Sequence, residues 1–241
     1  MPTFLTPISP SFGRAKFFCA SQCRYFTTRS FPFSVEDLSM LVIGICGGVA
    51  SGKSSVSRIF QSLGAAVLEA DRIGHEVLDL PEVLDAIRSH WGDSILANGR
   101  VDRKALAAIV FAENGHDDLK RLEAITHPKI GDRIRGKISS LAAKQTIPAA
   151  ILDAPVMFKA GWDRFCDKIV FVDVPFEVRQ QRAMESRGWA EHELEAREKR
   201  QAAIGDKRDK SSDIVNNSGT FQDLEDQIVK LWTCWGLNLP V

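Results

Sequence analysis

The chain has 241 residues, with 31 Lys and Arg against 31 Asp and Glu and 44% hydrophobic residues. That length can bury a substantial core as one or two domains, and a formal net charge of zero leaves no global field to attract nucleic acid. No apolar run approaches the ~20 residues that span a bilayer, and five scattered cysteines (Cys19, Cys23, Cys46, Cys166, Cys234) suit a reduced, cytoplasmic protein rather than a disulfide scaffold.

Residues 1–39 differ from the rest. They carry Arg14, Lys16, Arg24 and Arg29, many Ser, Thr, Phe and Pro, and no acid before Glu36. Such a stretch reads as a targeting leader, an adherent tail, or an extension upstream of the true start. Met40, directly before the first apolar strand, favours the third reading. The expectation is an arm without a stable fold and without chemistry. Cys19 and Cys23 have no second ligand pair nearby, which argues against zinc.

Leu41 to Cys46 is short, apolar and β-branched, as a buried parallel strand is. Gly47-Gly48-Val49-Ala50-Ser51-Gly52-Lys53-Ser54 follows and reads G-x-x-x-x-G-K-S, the phosphate-binding P-loop pattern. Val56, Ile59, Phe60 and Leu63 then fall on one helical face, and Gly64 can stop that helix. The glycines let the backbone turn so that amides from Val49 to Ser55 face one concavity at a helix N-terminus, where an anion is stabilised. Lys53 can reach the β- and γ-phosphates, and the Ser54 hydroxyl can ligate Mg²⁺. The pattern points to ATP as ligand.

Ala65 to Leu68 reads as a second strand, ending at Glu69-Ala70-Asp71. A carboxylate at the C-terminal end of a parallel strand faces the ligand crevice, so Asp71 can meet a substrate. It can equally be the N-cap of a helix over Arg72 to Leu80. Residues 81 to about 144 then read as helix-rich, with no strand signal. Val101-Asp102-Arg103 and Thr126-His127-Pro128 are placed at helix starts within them, where capping and turn formation explain them as well as function does. This helical stretch between strands is an inserted unit of the kind that grips a phosphoryl acceptor.

Ile147 to Leu152 is apolar and leads to Asp153, a strand-end acid that either holds Mg²⁺, as a Walker B acid does, or ends a turn. Ile169 to Val174 is a further buried strand, with Pro175 suited to the first turn of the next helix. Glu191 to Ala203 is nearly all charge and alanine, with Leu194 its one large apolar residue, and Arg187, Lys207, Arg208 and Lys210 flank it. Such a charge run is either a solvated face or, as favoured beside a P-loop, a lid over about residues 187–210 that brings cations to the transferring phosphoryl group. Asp213 to Asn217 makes a last short strand, and Phe221, Leu224, Ile228 and Leu231 a closing amphipathic helix. Five β-segments separated by helices imply an α/β fold whose parallel sheet is covered on both faces.

From about Met40 to the last helix, the chain resembles the dephospho-coenzyme A kinase family. The resemblance rests on the P-loop, Glu69-Ala70-Asp71, Val101-Asp102-Arg103, His127-Pro128, Asp153-Ala154-Pro155-Val156-Met157-Phe158, Gln201 and Ser212-Asp213-Ile214-Val215-Asn216-Asn217, in that order. It implies a P-loop nucleoside-kinase-like fold: a five-stranded parallel sheet, an acceptor-binding insert over about residues 72–145, and a helical lid. It implies transfer of the ATP γ-phosphoryl to the ribose 3′-hydroxyl of dephospho-CoA, with Asp71 as base and Lys53 as catalytic cation. Arg103 and His127 would belong to the CoA-holding insert, Arg182 to the ATP side, and Asn217 near the adenine. Partners would be ATP, Mg²⁺ and dephospho-CoA, with no nucleic acid or membrane, in a monomer or small homo-oligomer. Three positions depart from the family pattern. Glu69 stands where Asp is common, Lys159 where Glu is usual, and Arg179 where Gln is usual. The rivals are another small-molecule P-loop kinase and a nucleotide-dependent switch; no Asn-Lys-x-Asp or Leu-Ser-Gly-Gly-Gln signature supports the latter.

Overall fold

The computed structural model describes residues 40–198 and 203–240. The N-terminal arm and Gln201 lie outside the described residues, as does the side chain of Arg187. Strand β1 (Leu41–Gly47) enters the P-loop and continues as α1 (Lys53–Ser62), which ends at Leu63 with Gly64 beyond it at φ +100°. Next come β2 (Ala66–Glu69), α2 (Ala70–Leu78) and α3 (Pro81–Trp91). The short strands β3 (Leu96–Ala97) and β4 (Arg100–Val101) precede α4 (Arg103–Val110) and α5 (His116–Ala142). Then follow β5 (Ala149–Asp153), β6 (Lys168–Asp173) and α6 (Phe176–Arg187). The chain closes with α7 (Glu191–Glu198), α8 (Ile204–Asp209), β7 (Asp213–Asn216) and α9 (Phe221–Cys234).

The main sheet has the order β2-β5-β1-β6-β7, and every neighbouring pair is parallel. Successive side chains of a strand point to opposite faces, and both faces are apolar here. Val42 and Cys46 of β1, Ala150 and Leu152 of β5 and Phe171 of β6 pack on one side with α2 to α5. Ile43 and Ile45, Ala149 and Ile151, Val170 and Val172 pack on the other with α1 and α9. That explains the unbroken apolar runs of the central strands. It also sends all five strand C-termini to one edge, where Glu69 stands in register with Asp153.

Two expectations fail inside the insert. The helix-rich stretch expected to carry no strand contains an antiparallel hairpin, β3 with β4. Its turn is Asn98-Gly99, with φ +52° and +73°, the two-residue type I′ turn that Asn-Gly favours. Nor do Thr126, His127 and Pro128 start a helix. They lie in the middle of α5, with Pro128 inside it. An interior proline costs about 3 kcal/mol. The same helix buries Ile130, Ile134 and Ile138, each worth about 1.5–3 kcal/mol, so packing outweighs the break. Thr126 donates its hydroxyl to the Leu122 carbonyl one turn back at 2.8 Å. Asp102 does cap α4, accepting from the amides of Lys104 and Ala105 at 2.9 and 3.2 Å. Pro175 is one residue outside its helix, in the N-cap position of α6.

Candidate active site

The P-loop joins the C-terminal end of the central strand to the N-terminus of α1. Gly52 is the N-cap of α1 at φ +86°. A Cβ there would collide with the Asn217 amide, which donates to the Ser51 carbonyl at 2.8 Å. Glycine is therefore required at 52 both for its conformation and for the close approach. Ala50 holds φ +60° without being glycine, a left-handed conformation that costs about 1–2 kcal/mol. Lys53 curls back along its own loop, with Nζ 2.8 Å from the Gly48 carbonyl and 3.4 Å from that of Gly47.

A cleft of about 670 Å³ opens at this edge, within the usual size of small-molecule sites. Ala50, Gly52, Lys53 and Ser54 line it from the loop, Glu69, Asp71 and Arg72 from the β2–α2 junction, and Asp153 and Pro155 from the end of β5. Arg182, Glu185 and Ser186 of α6 close the remaining side. Asp71 is not an N-cap. The helix begins at Ala70 with Glu69 in the capping position and no side-chain cap bond, so Asp71 is in the first turn. An acid there is favoured by the helix dipole.

Burial pushes the Asp153 carboxyl above the usual carboxylate range; Lys53 opposes that shift, while the nearby Asp71 and Glu69 add to it. Asp153 thus feels one lysine and two further acids. Mg²⁺ keeps several waters and asks for one or two protein oxygens beside substrate phosphates. Ser54 and Asp153 offer a hydroxyl and a carboxylate on the same cleft, so the donor set fits that ion. Among the described residues no three His, Cys, Asp or Glu side chains gather to hold a metal by themselves.

Arg182 and Asn217 are linked: the guanidinium donates to the Asn217 carbonyl at 2.9 Å while the Asn217 side chain holds the P-loop. Arg103 and His127 are not among the residues lining this cleft. Arg103 is exposed at the first position of α4. His127 is half-buried, its ring edge-on to Trp162 at 5.3 Å, and burial holds its pKa below the ordinary value. Lys159 pairs with Glu123 of α5 at 2.6 Å.

Sequence reasoning did not assign Arg72, Glu185 or Ser186 to a site. Glu185 and Ser186 stand three and four residues after Arg182, on its helical face, and that spacing could have found them. It also missed what the polar α7 does. Leu194 is buried with Val49 and Ala183, and Glu198 accepts from the Val49 amide at 2.8 Å. Glu198 also pairs with Arg179, whose Nε donates to the Val174 carbonyl at 3.1 Å.

A phosphate-binding loop that shares its cleft with acids from two neighbouring strands is built to move a phosphoryl group, and on this sheet order it defines a P-loop kinase. The dephospho-CoA kinase family model matches residues 41–223. The dephospho-CoA kinase of Geobacter sulfurreducens is 36% identical over 80% of this chain and 98% of its own length, and that of Geobacter metallireducens 38% identical over 80% and 96%. The chain belongs to the dephospho-CoA kinase family. Among solved structures, a Thermus thermophilus protein superposes with a TM-score of 0.70 at 29% identity, covering 83% of this chain and 99% of that one. Dephospho-CoA kinase from Campylobacter jejuni gives 0.55 at 25% identity, over 81% and 97%. No helix of the described residues is long and apolar enough to cross a membrane.

Proposed function

We propose that this chain transfers the γ-phosphoryl group of ATP to the ribose 3′-hydroxyl of dephospho-CoA, giving CoA and ADP, with Asp71 as the base. One observation carries the reading: Asp71, Lys53 and Ser54 line a single cleft. The P-loop amides from Val49 to Ser55 receive the phosphates at the N-terminus of α1. Lys53 leaves the Gly48 carbonyl for the β- and γ-oxygens. Asp71 orients the acceptor hydroxyl and takes its proton as the oxygen attacks phosphorus. The leaving electron pair stays on ADP. Mg²⁺ would be held by Ser54 and Asp153, and when bound it neutralises charge on the phosphate oxygens.

Arg182 and Asn217 serve the nucleotide side. Arg103 and His127 belong to the insert, about residues 72–145, and act on the remote part of the acceptor rather than at the reacting atoms. Residues 187–210 act as the lid on a kinase domain that spans 40–241. We place the enzyme in the cytoplasm, as a monomer or small homo-oligomer.

Mass spectrometry of dephospho-CoA after incubation with Mg-ATP tests the acceptor; nucleosides and nucleotides are the comparison substrates. Asp71→Asn is expected to lower kcat on the order of 10²–10⁴-fold with the ATP KM little changed. Near-normal turnover in that variant would remove Asp71 from the base role.

A further inference from the structure

We propose that Arg72 is a specificity-determining residue on the acceptor side, a guanidinium that grips the diphosphate of dephospho-CoA while Asp71 meets the 3′-hydroxyl of the same nucleotide. The inference rests on the kinase reading above and names the part of the acceptor that this wall of the cleft recognises. Arg72 lines the cleft beside Glu69 and Asp71, with its side chain 65% exposed. Its Nε stands 4.0 Å from Glu76 one turn further on, which is long for an ion pair. Glu76 is already held by Lys137 of α5, whose Nζ lies 3.3 and 3.1 Å from its two carboxylate oxygens. Removing Arg72 would thus leave Glu76 paired, and an exposed contact of this kind adds little to a helix.

The position also works against the fold. Arg72 is in the first turn of α2, where the partial positive charge of the helix end disfavours a cation. Asp71, one residue earlier, suits that end; the arginine does not. A cation that stands where the fold gains least from it, on the lining of a cleft, is placed for a ligand.

The chemistry of that ligand follows from the neighbouring side chains. Glu69 and Asp71 share the β2–α2 junction with Arg72, and Asp153 ends the adjacent strand in register with Glu69. The diphosphate of dephospho-CoA carries that acceptor's net charge and hangs from the 5′ carbon of the ribose whose 3′-hydroxyl reacts. Brought to these acids, it is repelled unless a cation meets it. Arg182 is on the α6 side, bound to the Asn217 carbonyl, and Lys53 follows the P-loop; Arg72 is the guanidinium on the same wall as the base. Its planar fork of N–H donors matches paired phosphate oxygens. Its long stem carries that fork past the neighbouring carboxylate, so one nucleotide can span both groups. The diphosphate does not change during the transfer, so the contact is equally strong before and in the transition state, and it sets acceptor affinity rather than the rate of the chemical step.

The test uses the full chain with Arg72→Met, which removes the charge, and Arg72→Lys, which keeps the charge and loses the fork. Each is loaded with Mg²⁺ and a non-hydrolysable ATP analogue and titrated calorimetrically with dephospho-CoA. For Arg72→Met, dephospho-CoA affinity is expected to fall about 10–100-fold, while affinity for the ATP analogue stays within about twofold. Added NaCl should weaken dephospho-CoA binding to the unaltered chain and to Arg72→Lys, and much less to Arg72→Met, because the charged contact is then already gone. In turnover, the rise in the dephospho-CoA KM should exceed any fall in kcat. Equal weakening of both ligands, an unchanged dephospho-CoA affinity, or a loss that leaves the salt dependence intact would overturn the assignment; the last would move the contact to the uncharged parts of the acceptor. If the Met variant does not fold, Arg72→Ala is read in the same way; failure of both to fold makes the arginine structural and also overturns it. The titration needs no turnover. A chain that shows these affinity losses but leaves dephospho-CoA unmodified would overturn the proposed function and not the contact, and an unaltered chain that does not bind dephospho-CoA would overturn both.

Discussion

Asp153 shows how a single residue can serve chemistry at the expense of stability. Its carboxyl is held above the usual range chiefly by burial, so the folded state binds a proton more readily than the unfolded chain does. For such a group the stabilising contribution is fully present below the unfolded value and is lost as pH rises through the folded one. At neutral pH the ionised Asp153 is therefore a cost. Asp153→Asn is expected to raise Tm at pH 7, with the advantage shrinking as pH falls toward the ordinary aspartate value of 3.8. On the Mg²⁺ role proposed for Asp153, its activity should fall as well. A Tm at pH 7 equal to or below that of the unaltered chain would reverse the sign of this account. Lys159 has the opposite character. Its positive charge is met by Glu123 across a short, partly exposed pair, so it is compensated locally and need not reach the cleft.

At the scale of elements, the junction of α7 with the P-loop is held by one buried ion pair. Arg179 ties three segments together: the β6–α6 turn through the Val174 carbonyl, the loop through Val49, and α7 through Glu198. The two side chains are 6% and 15% exposed. Breaking such a pair from one side leaves a buried charge, typically at about 3–5 kcal/mol, whereas removing both charges is much milder. Arg179→Gln alone is expected to lower the unfolding free energy read from urea titration by an amount in that range, and Arg179→Gln with Glu198→Gln to recover most of it. An additive pair of losses would show that the two groups do not depend on each other. None of this was legible beforehand, because a charge run carries no sign of which member will find a partner over the loop. What was legible had local causes. The P-loop, its flanking strand and helix, and the Asp102 cap follow from neighbours in sequence. The Asn98-Gly99 turn was equally local and was overlooked inside a helical pattern. Pro128 misled because a breaker's cost is local while the burial that overrides it is not. Arg103 and His127 stand apart from the cleft for the same reason: motif order along the chain says nothing about which helix face turns toward the loop.

Across the whole molecule, two apolar layers hold the sheet, and the α1–α9 layer has the most concentrated anchor. Trp232 is fully buried, stands 6.1 Å from the Phe60 ring, and donates its indole N–H to the Asn238 carbonyl at 2.8 Å. Trp232→Ala is expected to cost about 3–5 kcal/mol, a Tm loss on the order of 10 °C for a domain of this size. Turnover measured well below the new Tm should be nearly unchanged, since Trp232 is not among the residues lining the cleft. A large kinetic defect with little loss of Tm would contradict that division of labour. The sheet order also bears on how the chain is made. The central strand β1 emerges from the ribosome before the other strands, but Leu41 pairs with Ala149 and Ile43 with Lys168. Its apolar edges thus wait through the synthesis of the entire insert. During that interval the nascent polypeptide offers a sticky, two-sided ribbon to the cell, so holding chaperones should matter more to the yield of this protein than to its equilibrium stability.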